Sequence, residues 1–164
     1  MKTLIAGFGN IFLSDDGFGP ALIRSLDPDD FANDTVVRDF GTAGMHLALE
    51  MSAGYELVII VDALRRNAPA GTVFAIEANE AANGLDNVAD AHAMSVPAVL
   101  ELFERIARQL SANTARPRII LCGCVPHSIE EGMDLSEPVR AAIPLCADLI
   151  GRLTEQLSAT GASS

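Results

Sequence analysis

The chain has 164 residues, 49% of them apolar and 20% charged, with 13 glycines and 8 prolines. That suffices for one core, because a chain of about 150 residues buries roughly 70% of its unfolded surface, and it excludes collagen-like and disordered proteins. Eleven Lys and Arg against 22 Asp and Glu leave a net charge of −11, which argues against a general electrostatic grip on nucleic acid and against insertion into an anionic membrane. Three cysteines make no disulfide framework, so reduced thiols and a cytoplasmic setting are expected. The opening MKTLIAGFG breaks its apolar run at Gly7, and Asp15 and Asp16 follow where a secretory signal would carry a small-residue cleavage site.

Residues 3–6 form a short apolar run ahead of a Gly and Asn loop and predict the first strand, with a helix following at 19–26. A second strand is expected at 36–40 and a helix at 45–51 that stops before Gly54. Residues 57–61, LVIIV, are apolar on both faces, the mark of a central strand covered on both sides. A fourth strand fits 72–76 after the turn APAG. Residues 78–94, rich in Asn, Asp and Ala, read as a long functional loop, since structureless connections beyond about 12 residues are uncommon. Residues 97–110 predict the clearest helix, with Ser95 at its start and Val99, Leu102, Phe103, Ile106 and Leu110 on one face. A fifth strand is expected at 119–122 and a last helix at 139–157, which Pro144 should kink or restart by depriving the Arg140 carbonyl of its donor. The alternation argues a single domain over 1–157, a three-layer α/β/α sandwich around a mainly parallel sheet, with 158–164 as a frayed tail.

Ligands of open α/β sheets collect outside the carboxyl ends of the strands. There the predicted elements place Asn10, Asp15 and Asp16, then Asp39 and Thr42, then Asp62, and finally Gly123 to His127, with His92 in the long loop. The loop GFGNIFLSDDGFG is not a dinucleotide fingerprint, because Phe12 takes the third glycine position and the two aspartates would repel a pyrophosphate. One of Asp15 and Asp16 is expected simply to favour a helix N-terminus. Asp62 closes the apolar run VIIVD, where a carboxylate costs several kcal/mol to desolvate unless it is paired or meets a cation; its structural alternative is to cap a turn ahead of Arg65 and Arg66. Two carboxylates with His92 make a mixed oxygen and nitrogen site suited to nickel, zinc or manganese. His127 is placed to line the same cleft, whereas His46 reads as a packed or exposed helix residue. Neither Ser14 nor Ser95 lies in a G-x-S-x-G elbow, and Cys122 and Cys124 lack a basic neighbour.

At these residues the chain resembles the maturation endopeptidases of nickel-iron hydrogenases. GFGNIFLSDDGFG is similar to the family's G-x-G-N-x-x-x-x-D-[DE]-G-x-G, DFGTAGM to its D-G-G-T-x-G, and LVIIVDA to its strand ending in Asp. AHAMSVPAVLEL is similar to a His ahead of an apolar helix, and GCVPHSIEEGMDLSEPV to a late G-x-x-P with an acidic stretch and L-S. The resemblance covers nearly the whole chain. It implies a twisted five-stranded sheet between helices, and an endopeptidase that removes the C-terminal extension of a hydrogenase large-subunit precursor already loaded with nickel. It assigns metal contact and catalysis to Asp16, Asp62 and His92, with Asn10, Asp39, Gly41, Thr42 and His127 against the substrate. The nickel belongs to the precursor, so no permanently bound cofactor is implied, although other divalent ions can occupy the site; no stable homo-oligomer is inferred. Phe40 departs from a usual glycine, and His127 from a frequent acid. Two other readings use the same residues: a metal-dependent hydrolase or peptidase with its own ion, and a metal-delivery chaperone that binds the precursor without cutting it.

Overall fold

The apolar runs become five strands of one sheet, β1 (Thr3–Gly7), β2 (Thr35–Asp39), β3 (Leu57–Ala63), β4 (Val73–Glu77) and β5 (Arg118–Cys124). The strand order is β2-β1-β3-β5-β4. Every neighbouring pair is parallel except β4 with β5. The helices are α1 (Phe18–Ser25), α2 (Gly44–Met51), α3 (Ala78–Ala81), α4 (Val96–Leu110) and α5 (Glu137–Gly161). This computed structural model describes residues 1–81, 94–110 and 115–161. Among them no helix is long and apolar enough to cross a membrane.

Strand β3 shows how the sandwich is assembled. Leu57, Ile59 and Val61 pack on one face with Phe18, Leu22 and Ile23 of α1 and Val139, Cys146 and Ile150 of α5. Val58 and Ile60 pack on the other with Leu47 and Met51 of α2 and Val99 and Phe103 of α4. Alternate residues of a strand face opposite sides, so a run without polar positions supplies both cores, and each fully buried aliphatic side chain contributes about 1.5–3 kcal/mol. Asp62 continues the parity of Val58 and Ile60 and stands on the α2 and α4 side.

Three local expectations are corrected. The segment expected to be a loop from residue 78 opens with the helical turn α3; the rest of it, 82–93, lies outside the described residues. Pro144 sits within a continuous α5, at an exposed position, so the helix does not restart there. That helix also runs through Gly161, four residues into the stretch expected to fray.

Helix α1 lies unusually close to the sheet. A Cβ on Gly19 would come within 2.3 Å of the carbonyl oxygens of both Phe8 and Val61, and backbone cannot move aside as a flexible side chain can. Gly19→Ala is therefore expected to destabilise the protein by about 1–3 kcal/mol or more, measured as a fall in Tm; an unchanged Tm would show that α1 can back away freely.

Candidate functional site

The sheet order places a crevice between β1 and β3. From β1 the chain moves outward to β2 and then returns past β1 to β3, so the loops at the carboxyl ends of β1 and β3 diverge, and such switch points are where open α/β sheets bind ligands. The loop after β1 carries Asn10 and Asp16; Asp62 stands near the end of β3, paired in register with Gly123 of β5.

The loop after β1 is held by Asp15, which is fully buried. Its Oδ2 accepts from the backbone N–H of His127 at 2.8 Å and of Ser128 at 3.0 Å, and from the Ser136 hydroxyl at 2.9 Å. Its Oδ1 accepts from the Ser136 N–H at 2.7 Å. Backbone bonds extend the seam: Ser14 N–H to the Gly132 carbonyl at 2.7 Å, Gly132 N–H to the Phe12 carbonyl at 2.9 Å, and Asp15 N–H to the Ser128 carbonyl at 3.1 Å. Burial pushes the Asp15 carboxyl up, but the bonds from Ser128, Ser136 and His127 together outweigh it and hold its pKa below the ordinary value. Asp15 thus does more than favour a helix end. Ser14 takes a positive φ of 50° in the same seam, and its hydroxyl donates to the Glu130 carbonyl at 2.9 Å, an arrangement with no base to activate it.

With Asp15 turned inward, Asp16 is half-buried on the crevice side and its Oδ2 accepts from the Asn10 N–H at 2.8 Å. Asp62 is 8% exposed and its Oδ1 accepts from the Ala63 N–H at 2.8 Å. Burial and the nearby Asp16 charge raise the Asp62 pKa well above the carboxylate range, against the opposing effect of the Ala63 bond. Between the two acids lies Gly9, at φ 134°. A Cβ there would fall 2.0 Å from the Asp16 carbonyl oxygen and 3.3 Å from Asp62 Oδ1. Only glycine fits that backbone and that gap.

The structure therefore brings together Asn10, Asp16 and Asp62, while His92 lies outside the described residues. Among the described residues no three His, Cys, Asp or Glu side chains gather as metal ligands. Gly41 joins the site through its carbonyl, which accepts from the Gly9 N–H at 2.9 Å. Exposed Asp39 accepts from the Gly41 N–H at 2.8 Å and shapes this turn, and Thr42 is exposed beyond it. Phe40 turns its ring into the core beside α2. His127 reaches the seam through its backbone, with its side chain exposed, and His46 is exposed on α2. All three cysteines are buried free thiols. Burial, the Cys146 sulfur and the Asp15 charge push Cys124 up to about 12, and a hydrogen bond with Cys122 together with burial raises Cys146 further still. Gly9, Ser128 and Ser136 fall inside the motifs GFGNIFLSDDGFG and GCVPHSIEEGMDLSEPV, but the sequence assigned them no role of their own.

A family model described as hydrogenase maturation protease matches residues 21–153. The hydrogenase 2 maturation protease of Escherichia coli is 30% identical over 159 residues, spanning 94% of this chain and 92% of the relative. The hydrogenase 2 maturation peptidase of a Thaumarchaeota archaeon has a similar structure, with TM-score 0.64 and 28% identity over 92% of this chain and 95% of that one. A [NiFe] hydrogenase maturation protease from Thermococcus kodakarensis gives TM-score 0.73 at 22% identity, covering 94% of this chain and 99% of its own.

Asp15→Ala would leave three part-buried N–H groups and one hydroxyl without their acceptor, at an expected cost of about 2–4 kcal/mol, read from denaturant midpoints. The linkage has a definite sign: a carboxyl depressed in the folded state stabilises fully above its ordinary value of 3.8, and that contribution disappears as pH falls through the lower folded value. The stability gap between wild type and Asp15→Ala should accordingly narrow in acid; a gap that widens would contradict the assignment.

Proposed function

The chain belongs to the hydrogenase maturation protease family, and we propose that it removes the C-terminal extension of a nickel-iron hydrogenase large-subunit precursor by engaging the nickel already bound there. The observation that carries this reading is buried Asp62 lying close enough to Asp16 to feel its charge, with Gly9 beside both, at the sheet's switch point. Two nearby carboxylates, one of them buried, raise each other's cost of ionisation. A divalent cation presented by the substrate offsets that cost, so a precursor carrying nickel meets a site that a nickel-free one does not satisfy.

His92 is the third group of this reading. Met94, two residues on, packs against Gly44 at the start of α2, on the sheet face that Asp62 shares. Oxygen and imidazole donors suit a borderline ion such as nickel. The precursor's metal polarises the scissile carbonyl, and an aspartate takes the proton of the attacking water. Asn10, Asp39, Gly41, Thr42 and His127 surround this reaction as substrate contacts. The odd number of cysteines in the sequence supports a cytoplasmic setting for the reaction, where thiols stay reduced.

Asp62→Asn tests the role. The amide keeps an oxygen for the Ala63 N–H but removes the charge and the proton acceptor, so processing should stop. A carboxyl whose folded pKa is raised weakens the fold as pH rises above its unfolded value, so the same substitution should stabilise the free protein at neutral pH by about 1–2 kcal/mol. Activity retained, or a variant that fails to fold, would assign Asp62 a structural role instead. A second measurement addresses the metal: purified protein mixed with nickel-loaded precursor should shift the large subunit to its shorter form, whereas nickel-free precursor should persist. Equal cutting of both would refute recognition through nickel.

A further inference from the structure

Strand β2 is one edge of the sheet, and its pairing with β1 determines which of its backbone groups face outward. The Thr3 N–H donates to the Asp34 carbonyl at 3.1 Å and the Phe40 N–H to the Gly7 carbonyl at 2.9 Å, while Thr3 stands opposite Thr35 and Gly7 opposite Asp39. In a parallel ladder this pattern commits Val36 and Arg38 to β1 and turns the N–H and C=O of Val37 and Asp39 to the open edge. Among the described residues, neither Val37 nor Asp39 makes a backbone hydrogen bond there. Beside this edge, on the α2 side, runs an open groove of about 510 Å³ whose apolar lining is Phe40, Ala43, Leu49 and Ala53 and whose polar lining is Arg38, Asp39, His46 and Glu50. Leu49 is 51% exposed. The groove wall is braced by Glu50, which accepts from Arg38 at 2.8 Å and from the Tyr55 hydroxyl at 2.6 Å.

We infer that this edge and groove bind an extended segment of the precursor as an added β-strand, flanking the bond to be cut. The inference rests on the protease reading above and supplies the substrate's path. An extended peptide offers donors and acceptors that match those of Val37 and Asp39, and its alternate side chains point to one face, here onto the apolar wall that Phe40, Ala43, Leu49 and Ala53 give the groove. Continuity with the candidate site supports the assignment. Strand β2 leads into the turn at Gly41, whose carbonyl is bonded to Gly9 between Asp16 and Asp62. A Cβ built on Gly41 meets nothing within 4 Å, so a peptide can cross over the turn. An added strand lies about 12 Å from the crevice between β1 and β3, counting strand spacings, and about four extended residues span that distance. The groove therefore selects an apolar side chain about four residues from the scissile bond.

Two variants test this in the precursor-processing reaction. Leu49→Asp puts a charge into the groove from an exposed helix position, and Val37→Pro removes the outward N–H while leaving every bond to β1, as proline allows at a sheet edge. Each is expected to raise KM for the nickel-loaded precursor about tenfold with kcat unchanged, the signature of lost binding rather than lost chemistry. Tm measured in parallel reports folding, and if Val37→Pro lowers it, Leu49→Asp decides alone. Wild-type KM in a folded Leu49→Asp overturns the docking inference and leaves the protease reading standing. Failure of the wild-type protein to cut the precursor overturns the protease reading, and this one with it.

Discussion

Asp15 is a buried carboxylate whose side-chain donors all come from a segment more than a hundred residues further along the chain. Burying a carboxylate is tolerable only when its lone pairs are met, and here four donors meet them. The bond set converts two loops, each connected to the sheet at one strand, into a single body at the carboxyl end of β1 and β5. The orientation of Asp16 follows from it, because the residue after an inward-facing side chain in a tight helical turn points elsewhere. So does the unusual backbone of Ser14, which is held in place by the same seam.

Asp15 and Asp62 show how one residue type serves opposite ends. Asp15 is surrounded by donors, keeps its charge and stabilises the fold; Asp62 is buried beside another acid, resists ionisation and weakens it. Environments that push like groups apart in proton affinity separate structural from reactive roles. Gly9 keeps the second pair near each other without filling the space between them. A ligand that brings positive charge offsets the cost of ionising Asp62 beside Asp16.

Much of this was legible in the chain itself. The run LVIIV announced a central strand, and the core face of residues 97–110 is confirmed by buried Val99 and Phe103. The antiparallel direction of β4 was not legible, because direction depends on how a connection returns and not on local pattern. Nor could sequence decide between Asp15 and Asp16. Both belong to one short turn with the same propensity, and the choice is made by His127, Ser128 and Ser136, which only tertiary folding brings near. Of the two outcomes expected at Pro144, a restart does not occur, because α5 continues through it at an exposed position.

The three cysteines are buried free thiols, and on the proposed reading, in which the precursor brings nickel, their burial has a consequence. Thiolates are the softest and most retentive ligands a chain can offer such an ion, and here each one is packed inside the layer between β5 and α5. Among the described residues, the candidate donors at the crevice are the carboxylate oxygens of Asp16 and Asp62. On the proposed reading, a precursor engaged by carboxylates through a few exchangeable contacts leaves with its metal, and the protease is free for the next one.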